Sequence, residues 1–163
     1  MIKTILCSAI FTIAVALLSC EKDNEILSKT DMINGKTWKV TSKTVDPAIK
    51  FVTDAEGHTI QIFDIRLFDP DSVKNYGYKY SKDGIFTLLN DARRELMQTT
   101  WKFNSDESQI TLGQPLIYNY PVVGNVSVQS VTIISISKDK IATTIPTVLN
   151  NVNHALTIIF EPK

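Results

Sequence analysis

From Lys36 to the C-terminus the apolar side chains recur at every second residue, in short runs broken by turn-forming residues. Trp38 and Val40 open the series, Tyr76, Tyr78 and Tyr80 follow, then Trp101 and Phe103, then Ile110 and Leu112. The C-terminal part repeats the pattern at Val126 and Val128, at Val131 and Ile133, at Ile141, Thr143 and Ile145, and at Leu156, Ile158 and Phe160. A period of two is that of a strand with one buried face, so these runs predict strands and argue against a helical core. Asp83-Gly84 separates two runs with a pair that accepts the positive φ angles of a tight hairpin. Asn104 to Ser108, Lys138-Asp139-Lys140 and Asn150-Asn151 supply further turns. Strands at this spacing with hairpin joints predict an all-β, antiparallel up-and-down meander that closes as a barrel or packs as a sandwich.

Three segments sit apart from the alternation. Ile60 to Phe68 reads as a strand whose apolar residues change phase between Ile62 and Phe63, which predicts a bulge or burial on both faces. Gly113 to Gly124, with Pro115 and Pro121, reads as a long loop across one end of the barrel. Ser28 to Asn34 predicts one helical turn, started by Ser28 and stopped at Gly35.

The first residues have a different character. Lys3 is followed by an apolar stretch from Ile5 to Leu18, too short for a membrane span and of the length of a secretory signal. It ends in Leu17-Leu18-Ser19-Cys20, which resembles the lipobox of bacterial lipoprotein precursors. That resemblance implies removal of residues 1–19, a diacylglyceryl group on the Cys20 sulfur and an envelope location at the outer membrane. Glu21 to Glu25 is a charge-dense run that predicts a solvated tether, so residues 20–30 form the lipidated terminus and 31–163 the folded domain. The run is also similar to the acidic export signals of surface-exposed lipoproteins in the Bacteroidetes.

Composition narrows the function classes. With 17 basic and 17 acidic residues the chain has no electrostatic footprint for nucleic acid. Its two cysteines, Cys7 and Cys20, leave the domain beyond residue 20 without a disulfide or a multi-cysteine metal site. His58 sits in a polar Glu56-Gly57-His58 turn, and His154 lies in the last strand, so neither predicts a metal ligand. Asp69-Pro70-Asp71 reads as turn chemistry, and no carboxylate pair or nucleophile with a base is apparent. The expectation is a protein without catalytic residues, metal or cofactor.

Gly35-Lys36-Thr37-Trp38, opening the first strand after a helix-like turn, resembles the Gly-x-x-Trp variant of the lipocalin start motif. The Tyr76-to-Leu89 hairpin and Thr100-Trp101-Lys102-Phe103 are similar to the second and third landmarks of lipocalin-like lipoproteins common in the Bacteroidetes. The resemblance covers most of Leu27 to Pro162 and implies an eight-stranded barrel or near-barrel able to hold a small apolar ligand. The arginine with which classical lipocalins cover the tryptophan is absent. Alternation assigns Trp38, Tyr76, Tyr78, Tyr80, Phe86, Trp101 and Phe103 to a candidate ligand-binding face, together with Val40. With no ionised partner in that set, the expected ligand is a small uncharged apolar molecule or a glycan fragment. The other expectation is a barrel filled by its own side chains, whose loops contact an envelope or host protein.

Overall fold

The computed structural model describes residues 27–53, 55–120 and 124–163. Cys20, the signal and the charged run after it lie outside the described residues. A short helix, α1 (Lys29–Ile33), leads into a long strand β1 (Thr37–Val52) and its hairpin partner β2 (Thr59–Asp64). A 3-10 turn (Ile65–Phe68) and one helical turn, α2 (Asp71–Lys74), then lead to β3 (Gly77–Tyr80) and β4 (Ile85–Leu89). The remaining strands are β5 (Glu95–Phe103), β6 (Gln109–Tyr120), β7 (Gly124–Ile136), β8 (Ile141–Leu149) and β9 (Val152–Pro162).

Strands β1 and β3 to β9 pair antiparallel in chain order, and β9 returns to β1, so they form a closed eight-stranded up-and-down barrel of lipocalin-like architecture. β2 is the extra strand, hydrogen-bonded to the far half of β1 where β3 does not reach. The alternation explains the packing: Tyr78, Tyr80, Ile110, Leu112, Ile141, Ile145, Leu156 and Ile158 all point into one buried cluster. Burying such side chains contributes about 1.5–3 kcal/mol each and drives closure of the sheet.

One end of the barrel is sealed. Ser28 caps α1 by accepting the Asp31 N–H at 3.1 Å, and Gly35 takes φ +75, as the sequence predicts. Trp38 is fully buried, and its indole N–H donates to the Ile33 carbonyl at 2.8 Å, which ties the first strand to the helix. Lys29 donates to the Glu107 carbonyl, Asp31 pairs with Lys82, and Lys36 donates to the Lys138 carbonyl. The plug therefore touches the three hairpin turns at this end. Lys36 also lies 5.5 Å above the Trp38 ring, a cation on the tryptophan that residue type alone does not nominate.

Two expectations are corrected. The described residues of Gly113 to Gly124, the stretch expected as a loop, are strand: β6 runs through Tyr120 and pairs with β7 from Leu116 to Tyr120. Pro115 and Gly113 are accommodated as an irregularity, since the five-residue step from Thr111 to Leu116 faces a two-residue step from Ser130 to Val128. Ile60 to Phe68 is not one continuous strand and is not buried on both faces, although its pairing with β1 is irregular between Ile62 and Asp64, where the phase changes. β2 stops at Asp64, whose side chain accepts the Arg66 N–H and starts the 3-10 turn, and Ile60, Phe63 and Leu67 are exposed while Ile65 alone is fully buried.

Candidate functional site

The lumen itself is full. Between the Tyr78, Tyr80, Ile110 and Phe160 side chains the internal void measures about 20 Å³, room for roughly one water molecule. A cleft of about 580 Å³ opens instead in the barrel wall, within the range of small-molecule sites. Pro70, Val73 and Tyr76 form one side of it, Leu88, Leu96 and Met97 a second, and β6 from Pro115 to Tyr120 the third.

The cleft exists because β5 and β6 part company. They share three paired positions, Trp101 with Leu112, Lys102 with Thr111 and Phe103 with Ile110. At Gly113 β5 still lies so close that a Cβ would collide with the hydroxyl oxygens of Thr100 and Thr99. Beyond it Pro115 offers no N–H to continue a ladder, and the strands diverge with Leu96 and Ile117 exposed at the lips.

The inner wall of the cleft is charged. Lys43 is 1% exposed and Asp69 5%, and the Lys43 ammonium donates to both Asp69 carboxylate oxygens, at 2.9 and 2.7 Å, and to the Tyr120 hydroxyl at 2.9 Å. The same ammonium stands 4.1 Å above the Tyr118 ring. Since β1 and β6 face each other across an eight-stranded barrel, Asp69, bonded to one and adjacent to the other, sits in the lumen's mouth. It draws the Ile65–Lys74 segment over the opening as a cap. Burial pulls the Lys43 ammonium below its ordinary value, an effect the neighbouring Asp69 opposes. Burial raises the Tyr120 phenol, and Asp69 raises it further. Beneath them Tyr78 and Tyr118 share a hydroxyl contact at 2.8 Å, and burial raises both phenols.

Lys43 points inward because β1 is bulged. Trp38 and Val40 face the core, but the register against β9 slips between Val40 and Ser42, so the inward positions become Lys43 and Val45. The sequence expectation of a lumen with no ionised group is therefore corrected: an ion pair lies in its mouth.

Of the seven residues assigned to a ligand face, Tyr76 borders the cleft. Tyr78 and Tyr80 border the small void, whereas Trp38, Phe86 and Trp101 are buried in the core and Phe103 packs against it. Lys43, Asp69, Met97, Tyr118 and Tyr120 escape a reading by residue pattern. One signal was available for two of them: Tyr118-x-Tyr120 is a period-two aromatic pair inside the stretch read as a loop. His58 is exposed in its turn. His154 is buried, and its Nδ1 lies 2.6 Å from the Pro47 carbonyl, which as an acceptor assigns the proton to Nδ1. Among the described residues no three His, Cys, Asp or Glu side chains cluster so as to hold a metal. No protein-family model matches the chain, and no curated protein matches it.

Proposed function

We propose that this chain is a non-catalytic, lipid-anchored outer-membrane lipoprotein of the lipocalin-like kind, which binds a small apolar molecule or glycan fragment in the cleft between β5 and β6. The observation that carries the reading is the cleft of about 580 Å³, where apolar walls from Val73, Leu88, Met97 and Leu116 meet the tyrosines at 76, 118 and 120. Such a mixture removes apolar ligand surface from water while offering aromatic faces to a ring or a sugar. The anchor rests on the Leu-x-Ser-Cys ending and basic start of the first 20 residues.

Two measurements test this. Mass spectrometry of membrane-extracted protein is expected to show a chain beginning at a diacylglyceryl-modified Cys20, released to the soluble fraction by Cys20→Ala; an unmodified soluble chain overturns the anchor. Methyl NMR with a panel of fatty alcohols, sterols, phenolics and oligosaccharides is expected to shift Val73, Leu88, Met97 and Ile117, with Tyr76→Ala weakening binding. The filled lumen supports a second reading, an interaction lipoprotein without a small ligand. Silence across the whole panel decides for it.

A further inference from the structure

A buried ion pair is a weak source of stability, because desolvating both charges offsets their attraction and an apolar pair of like volume holds a fold as well. The Lys43–Asp69 pair, placed against the large cleft, is better explained by what it does to that cleft. An ammonium has three N–H donors. Lys43 spends two on Asp69 and the third on Tyr120, so none remains for a ligand. Asp69 and Tyr120 belong to the cleft wall and Lys43 lies directly behind them. An anion entering the cleft would meet the Asp69 carboxylate with no free donor to compensate, and a cation would meet a carboxylate already neutralised at 2.7 Å. Both kinds of charged ligand would lose hydration without gaining a partner.

We propose that Asp69 is a specificity-determining residue of the cleft: it acts as a built-in counter-ion that occupies Lys43 and restricts the cleft to neutral ligands. The cap's position follows from the same contact, because Asp69 is the residue by which the Ile65–Lys74 segment reaches into the mouth. The inference rests on the cleft being a binding site, as proposed above. It adds that selection against charge comes from one residue of the cap, and that the selection is convertible. With a neutral side chain at position 69, Lys43 becomes an unpaired cation one residue behind the cleft surface, and an apolar anion becomes the favoured ligand.

A matched pair of fluorescent probes tests this on the full chain. N-phenyl-1-naphthylamine is neutral, and 8-anilinonaphthalene-1-sulfonate carries a sulfonate on the same ring system. The wild-type protein is expected to prefer the neutral probe, and Asp69→Asn to shift the preference toward the sulfonate by about tenfold or more. Lys43→Met/Asp69→Leu, an apolar replacement of the pair, should show no such gain of sulfonate preference. Lys43→Met alone should shift preference toward dodecyltrimethylammonium, so the proposal remains testable if Asp69→Asn does not fold. Near-UV circular dichroism verifies folding of each variant. Wild-type binding of the neutral probe with no change of preference in folded Asp69→Asn or Lys43→Met overturns the counter-ion role and leaves the binding function standing. No wild-type binding with sulfonate gained by Asp69→Asn does the reverse, and no binding by any folded variant overturns both.

Discussion

The two ends of this barrel are built on different rules. At the sealed end an aromatic layer fills the barrel: Val40 on β1 pairs with Phe160 on β9 and Trp38 with Pro162, and Tyr80 packs its ring against those of Phe86 and Trp101 at 5.1 and 5.2 Å between centroids. Past the slip between Val40 and Ser42, toward the other end, β1 shifts register again against β2, β6 departs from β5, and an ion pair takes the place of an aromatic layer. Among the described residues, eight of the ten exposed large apolar side chains, Val52, Ile60, Phe63, Leu67, Leu96, Ile117, Val148 and Val152, belong to the open half, and Leu27 and Ile134 to the sealed half. It is the parting of β5 and β6, more than any one register slip, that leaves a place where something else can bind.

Alkali should expose the largest effect. Burial raises the phenols of Tyr78, Tyr80, Tyr118 and Tyr120 above the ordinary value of 10.0. Their contribution is fully present below pH 10 and is lost above it, because the unfolded chain gives up these protons first. Each group then removes about 1.4 kcal/mol per pH unit. Lys43, lowered by burial, works in the opposite sense as pH rises toward 10.5, one group against four. Phenolate absorbance is expected to appear together with the loss of near-UV signal in one transition. Ionisation of two phenols before that loss would mean that the open end yields independently.

Trp38→Ala should cost about 3–5 kcal/mol in urea unfolding, since it empties the centre of the sealed end and frees the Ile33 carbonyl. A cost below about 1 kcal/mol would erase the contrast between the ends. The smallest effect is expected for Ile117→Ser at the lip of the cleft, which is 64% exposed and should change stability by at most about 0.5 kcal/mol while weakening ligand binding.

The same division decides how much of the fold is legible in the amino-acid sequence. Where alternation is unbroken the strands, the Asp83-Gly84 turn with Gly84 at φ +78, the Asn150-Asn151 turn with both φ angles positive, and the Ser28 cap all follow from residue type. The cleft does not, because bulges are settled by tertiary pairing. A single slip at Thr41 moves Lys43 from the solvent face to the lumen, and strict alternation assigns Ser42 and Thr44 there instead. Asp69 carries no mark either: before a proline it reads as a turn residue, and its partner is 26 positions away. Gly113 and Pro115 look like loop residues in sequence, whereas the fold uses them to peel one strand from the next.

The pairing of β1 with β9 has a kinetic consequence. Trp38 lies opposite Pro162, so the seam that closes the barrel joins the two extremes of the domain, while every other seam of the barrel except β1 to β3 is a hairpin between consecutive strands. Hairpins form in microseconds, but this seam must overcome the loop-closure entropy of nearly the whole chain before its contacts return anything. The meander from β3 to β9 can assemble early as a curved, unclosed sheet, and β1 with its tryptophan then covers the free edges of β3 and β9. Folding is therefore set by an encounter between distant segments, on the millisecond-to-second scale of sheets dominated by non-local pairing.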